Sequence, residues 1–425
     1  MNIMIFLIFI TFFQIFLSQN IQFPIIIEKS PLNMGISAKE VMNSLERINY
    51  YILIKIGNPE QEIKFYLTFN SAEIFICSEK MKYSLYKETK SNTYKVIYNV
   101  TKEFSGGKYN EGLLSQDNYY LSTINKILFE EIKFNLATRA IYLSYFPAEI
   151  GLSLPNYYTS IDYNLLNQLK KKNLIESNIW SIQSFNDNDV KFIIGQLPHE
   201  INKNFNIKNY RTTNTLKYYS NLIWGFEISN ILIGETNIDK NNPKKCKIDI
   251  NSRFITLSLK EMNFYKETFF QKYIDKKICN NSTIHENYFF YCEKSIKIEN
   301  LPEILFEHKE LNYIFNIDYK DLFIHHENKY YFLITFSTLE TECKLGEIFI
   351  KKFKLVFDQN KKVIGIYTLD NNSNFSRFLI VLLILIIIIL IFLGGIYLGF
   401  LLKKKRKIRA NELEDEFLYE PKNEK

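Results

Sequence analysis

Two stretches decide how this chain folds. The first is Ile56–Ser78, IGNPEQEIKFYLTFNSAEIFICS, and the second is Cys246–Leu257, CKIDINSRFITL. Each carries an apolar strand, then a short polar turn, then a second apolar strand. The turns align as Thr68-Phe69-Asn70-Ser71 and Asp249-Ile250-Asn251-Ser252, about 180 residues apart. The shared spelling, one variable residue followed by apolar-Asn-Ser, reads as a duplicated loop. One copy has a carboxylate at its first position and the other has a Thr.

Outward from these stretches the hydrophobic period is mostly two, which predicts strands. Tyr50–Ile56, Ile63–Leu67, Ile74–Cys77, Phe192–Ile194, Phe226–Leu232, Lys247–Ile250 and Lys354–Phe357 all read this way. Two segments predict helices. Ile161–Lys172 gathers Leu165, Leu166 and Leu169 on one face, and Leu259–Tyr273 follows Ser258 as an N-cap. Lys203–Lys217 is polar and Asn-rich and reads as a junction or surface loop. The expected class is mainly β. A length of 425 residues, with 47% hydrophobic and 16% aromatic content, is enough for two lobes with a large core and excludes a disordered chain.

Both ends read as membrane-related. Met1–Ser18 is an apolar run of signal-peptide length. Phe378–Leu402 contains no charge, and at 1.5 Å per residue it is long enough to cross a hydrocarbon core of about 30 Å. Lys403, Lys404, Lys405, Arg406, Lys407 and Arg409 follow at once, which places the tail in the cytosol. Without this cluster the net charge of +7 nearly vanishes, so nucleic acid is set aside as a partner. The expectation is a type I membrane protein of the secretory pathway or cell surface. Its parts are a signal peptide (1–18), an N-terminal segment (19–44), two lobes (45–198 and 199–370), a stalk (371–377), a span (378–402) and a tail (403–425). Sequons at Asn99, Asn280, Asn281, Asn371 and Asn374 suit an exported domain. Of the five Cys, Cys279 and Cys292 flank a turn-like stretch and are the best candidate pair, while the pairing of Cys77, Cys246 and Cys343 stays open. The Cys spacings do not suggest zinc, and the adjacent His325 and His326 read as surface, so no metal or cofactor is expected.

Ile56–Ser78 resembles the first active-site region of pepsin-like aspartic proteases, with Ile-Gly-x-Pro-x-Gln, a strand and the loop in the family's order. Ala148–Leu152 resembles the apolar-apolar-Gly element of the first lobe, and Cys246–Leu257 the second active-site loop. Leu301–Phe306 and Cys343–Asp358, with Leu345-Gly346, resemble the closing strands of the second lobe. The resemblance implies a bilobal β fold with a cleft between pseudo-twofold-related lobes. It also implies a dyad of two carboxylates that share one proton, because like charges about 3 Å apart do not both ionise.

At the positions this resemblance assigns to the dyad stand Asp249 and Thr68. A Thr hydroxyl is no general base near neutral pH. Glu62 and Glu73 lie on strands leading away from the turn and are not expected to reach the centre. The Thr that follows each family Asp is replaced by Phe69 and Ile250, which cannot hydrogen-bond as a brace. The loop glycines are replaced by Asn70 and Asn251, the residue type most tolerant of left-handed backbone. Ser71 and Ser252 remain. Phe104–Leu114 resembles the hairpin flap over the cleft, with Ser105 at the flap Tyr position, Gly106 and Gly107 beside it, and Tyr109 nearby. The expectation is therefore an inactive relative of these proteases whose cleft binds a peptide or protein. The alternatives are a divergent endopeptidase working through Asp249 and a structural surface or secretory component.

Overall fold

The computed structural model describes residues 21–29, 37–46, 48–81, 84–100, 111–121, 127–139, 146–155, 161–186, 189–218, 221–238, 243–338, 343–368, 390–399, 401–406 and 409. The described residues up to 368 form one compact unit. The first half opens with strands β1 (Ile21–Pro24) and β2 (Ile26–Lys29) and helix α1 (Ala38–Glu46). It continues with β3 (Ile48–Ile56), β4 (Gln61–Thr68), β5 (Ile74–Cys77), β6 (Lys95–Val100), β7 (Glu111–Leu121), β8 (Ile127–Arg139) and β9 (Ala148–Gly151). These strands build an eight-stranded sheet in the order β2-β3-β4-β9-β5-β8-β7-β6.

Inside that sheet β9 lies between β4 and β5, parallel to the first and antiparallel to the second. β5 in turn runs parallel to β8. The second half repeats the arrangement with β13 (Lys244–Ile248), β14 (Ile255–Ser258), β15 (Ile334–Ser337) and β16 (Cys343–Leu345). There β16 is parallel to β13 and antiparallel to β14, and β14 is parallel to β15. The duplication seen in the two loops is thus a duplication of strand topology.

A six-stranded sheet joins the halves in the order β1-β11-β10-β17-β18-β12. Its members are β10 (Ile179–Asn186), β11 (Asp189–Ile194), β12 (Tyr210–Asn214), β17 (Val356–Asp358) and β18 (Val363–Tyr367), together with β1. β12 corrects one expectation. Lys203–Lys217 is not only a loop, because Tyr210–Asn214 pairs in register with Val363–Tyr367 and forms an edge of this sheet. A polar strand is tolerated there because one side of an edge strand is open to solvent.

Other boundaries move for local reasons. Phe226–Leu232 is two strands, Gly225–Ile228 and Asn230–Ile233, which belong to different sheets. Asp249 lies just past the end of β13, not within the strand. The first predicted helix is a single turn at Ile161–Tyr163 followed by α2 (Leu165–Lys171), whose N-cap Asn164 accepts from Asn167 N–H. The second is α3 (Leu259–Tyr265), capped by Ser258 as expected, then a π-turn over Lys266–Phe270 and a short helix Gln271–Ile274. Cys343–Asp358 hides helix α4 (Glu347–Phe353), which ends where Lys354 takes a left-handed backbone at φ 48°. The predicted strand start at Lys354 therefore shifts to Val356.

The N-terminal segment is part of the fold. Ser37 and Glu40 form a reciprocal capping pair at the start of α1. Val41, Met42 and Leu45 then pack with Phe254, Ile284, Phe289 and Leu333 of the second half.

Cys279 and Cys292 are bridged, as the sequence suggests, and face each other across a hairpin. Cys246 and Cys343 form a second bridge, being in-register neighbours on the parallel strands β13 and β16. Cys77 is the free thiol and is buried. Residues 390–399 and 401–406 are helical. Among the described residues no helix is long and apolar enough to cross a membrane. The expected signal peptide, the stalk and the first half of the expected span lie outside the described residues, as do Asn371 and Asn374. Asn99, Asn280 and Asn281 are described and exposed.

Candidate active site

Thr68 ends β4 and is buried, and Asp249 directly follows β13 and is half-buried. The two loops are built by the same hydrogen bonds. Asn70 N–H donates to Thr68 Oγ1 at 3.1 Å, and Asn251 N–H donates to Asp249 Oδ1 at 2.9 Å. Ser71 Oγ donates to Glu73 O and accepts from Glu73 N–H. Ser252 Oγ does the same with Phe254. These are side-chain-closed turns of the kind Ser, Thr and Asp form locally. Each of the two Ser closes its own turn.

The apolar-Gly elements cover the loops from behind. Leu152 N–H donates to Thr68 O at 2.7 Å and Ser153 N–H to Ser71 O at 2.9 Å. In the second half Asp249 N–H donates to Leu345 O at 3.0 Å and Glu347 N–H to Ser252 O at 2.7 Å. A Cβ on Gly151 would overlap Ser71, and one on Gly346 would overlap the carbonyls of Ser252 and Phe254. Close backbone approach is what requires Gly at both positions.

The loops also meet across the halves. Asn251 Nδ2 donates to Leu67 O at 3.1 Å, one residue before Thr68. Trp224 Nε1 donates to Leu152 O at 2.7 Å. Ile48 N–H donates to Asn251 O at 3.1 Å. Phe69 and Ile250, which follow Thr68 and Asp249, both pack as apolar groups. Phe69 packs edge-on against Trp180 and Phe357, each at 5.5 Å, on the six-stranded sheet. Ile250 is fully buried in the main core. Asn251 is the interlobe tie that sequence reasoning missed. An Asn read only as a turn-former carries no signal that its amide reaches the other half.

A buried ion pair holds the second loop. Arg253 Nε lies 3.1 Å from Glu347 Oε2, both side chains less than a tenth exposed. Lys351 also pairs with Glu347. Tyr50 is buried nearby, and burial first, then the Glu347 charge and hydrogen bond, hold its hydroxyl well above the ordinary Tyr range. Arg253 follows the Asn-Ser pair directly, and Glu347 follows Gly346, yet nothing local in the sequence links them.

One of the other acids near the first loop departs from expectation: Glu73 lies not on a strand but in the bend just before β5. Glu62 is exposed on β4, and Glu73 is buried with its carboxylate accepting from Asn135 Nδ2 at 2.7 Å on β8. Ser105, Gly106, Gly107 and Tyr109 lie outside the described residues. The strands on either side, β6 and β7, pair antiparallel down to Val100 and Gly112.

A family model described as eukaryotic aspartyl protease matches residues 49–369. The chain belongs to that family. No curated protein matches it. Within this aspartyl protease domain the chemistry at the loops is limited by residue type. Asp249 supplies one carboxylate, closed by its own loop amide. At the matching position of the first loop Thr68 supplies a hydroxyl, which accepts the Asn70 N–H.

Proposed function

We propose that this protein is a catalytically inactive aspartyl protease homologue, anchored in a membrane of the secretory pathway or cell surface, whose interlobe cleft binds a peptide or protein ligand. The observation that carries the reading is Thr68 at the first dyad position. Its hydroxyl takes the loop hydrogen bond that Asp249 takes in the second half, so the loop is kept without the charge. Phe69 and Ile250 support it. Both brace positions are now apolar packing residues, one on the six-stranded sheet and one in the core.

In this reading residues 1–18 are a signal peptide, 45–198 and 199–370 are the two lobes, 371–377 a stalk, 378–402 a transmembrane span and 403–425 a cytosolic tail. The uncharged run at 378–402 followed by six cations supports the orientation. The exposed sequons at Asn99, Asn280 and Asn281 and the two disulfides suit an oxidising, glycosylating compartment. Asp249 and Thr68, with Asn70, Ser71, Asn251 and Ser252, then form the floor of a ligand cleft.

The test is a cleavage assay of the purified ectodomain, without residues 1–18 and 378–425, on a diverse peptide pool at acidic and neutral pH. Asp249→Ala runs beside it. The expected result is no specific cleavage from a well-folded sample. Cleavage that disappears in Asp249→Ala would overturn the proposal and make the chain a divergent endopeptidase. A second reading has one observation in its favour: Asp249 is still presented by an intact loop.

A further inference from the structure

The second half holds a cavity of about 620 Å³ that includes none of the dyad-loop residues. It opens between the end of β12, the corner where strands Gly225–Ile228 and Asn230–Ile233 part, the start of β13 and the turn at His308–Glu310. This volume is in the range that holds a small molecule. It is too polar for an apolar ligand: its walls carry Lys217, Lys245 and Lys309 against Glu227 and Glu310.

The charges do not cancel. Glu227 faces Lys245 directly in the antiparallel register, and Glu310 accepts from Thr213 Oγ1 at 3.4 Å. Lys217 and Lys309 are exposed cations on the same walls. Ser229 Oγ accepts Lys309 N–H at 3.0 Å, which leaves its hydroxyl proton as a donor.

The second observation is His308. It belongs to the cavity wall and is only 2% exposed. Its ring lies tilted against that of Phe226, with centroids 5.4 Å apart. Nδ1 accepts Leu311 N–H at 3.4 Å, so the ring proton is on Nε2. Nε2 has no hydrogen-bond partner among the described residues. A buried donor left unmade is unfavourable unless something supplies the acceptor.

We propose that this cavity is a binding site for a small oxyanion-bearing molecule, phosphorylated or carboxylated, held by Lys217 and Lys309 over a floor that includes His308 and Ser229. Three lysines line the cavity against two glutamates, and ammonium groups form charge-assisted hydrogen bonds to phosphate and carboxylate oxygens. The site is independent of the dyad and of whether the chain cleaves peptides.

The experiment is calorimetric titration of the full chain, in detergent, with inorganic pyrophosphate and, separately, with citrate. At least one probe is expected to bind saturably at one site per chain. Lys217→Ala/Lys309→Ala is expected to weaken that binding at least about tenfold, the scale of losing charge-assisted contacts. Both lysines are exposed, so the variant keeps the fold. Lys276→Ala, an exposed cation outside the cavity, should bind as the parent does. His308→Gln should weaken binding without altering either lysine. No saturable binding of either probe overturns the proposal. So does binding that the double lysine variant leaves unchanged.

Discussion

Replacing Glu347 with Gln tests how the second loop is held. Arg253 and Glu347 are 3.1 Å apart and nearly out of solvent, so their attraction at an effective dielectric of about 20 is of the order of 5 kcal/mol before desolvation is counted. Desolvation offsets much of that, and the net value of such a pair against an apolar substitute is small. Removing one partner is different, because the other charge stays buried. Glu347→Gln leaves the Arg253 guanidinium without its carboxylate, and the expected loss is about 3–5 kcal/mol. Arg253→Met leaves Glu347 with Lys351 and the Tyr50 hydroxyl, so the loss should be smaller, about 1–2 kcal/mol. The assay is urea unfolding of the ectodomain at neutral pH for parent and both variants. The reasoning depends on the order of the two losses. If Arg253→Met destabilises as much as Glu347→Gln, or both cost under about 0.5 kcal/mol, the pair does not clamp the loop.

Three other outcomes follow from named contacts. Burial first, and then the Glu149 charge, push the Cys77 thiol up to about 12, so iodoacetamide at pH 8 should leave it unmodified in the folded protein and alkylate it in urea; rapid labelling without denaturant would contradict its burial. His308 has its pKa lowered by burial, so the unfolded chain takes up its proton first as pH falls below about 6.5; stability present above that pH should decline towards pH 5, and His308→Gln should flatten the decline measured by urea midpoints. Phe69→Ala removes a half-buried ring from between Trp180 and Phe357 and should destabilise by about 2 kcal/mol, below the cost of a fully buried Phe. Both Trp residues of the chain belong to that cluster, so their emission should also shift, and an unchanged spectrum with unchanged stability would refute the packing.

Much of the architecture was legible because its buried strands are runs of apolar residues. Ile74–Cys77 is a strand buried at every position, and the paired loops announced two copies of one strand arrangement. What was not legible depended on partners distant in sequence. Tyr210–Asn214 has no strand-like core of its own and is fixed by pairing with β18. α4 overlaps a run, IFIKKFKLVF, whose apolar residues fit both periods; Phe349, Ile350 and Phe353 face inward only because Gly346 starts a helix there. At the candidate site the loop positions could be read directly. The Asn251 amide on Leu67 and the Arg253–Glu347 pair could not, since each joins residues more than ninety positions apart.

The same geometry explains how the two loops keep one form with different first residues. Each loop needs an oxygen that accepts the N–H two residues ahead, and a Thr hydroxyl and an Asp carboxylate both supply one. The Ser that follows closes the turn on its own backbone in both halves, and the Gly behind it admits the close approach. None of these contacts needs a charge at position 68. The loop and the strands behind it need only the acceptor. Asn251 then ties the halves through its amide, and Phe69 packs on the six-stranded sheet that joins them. In the proposed reading the requirements of folding and of proton sharing separate at Thr68, which meets the first of them through its hydroxyl.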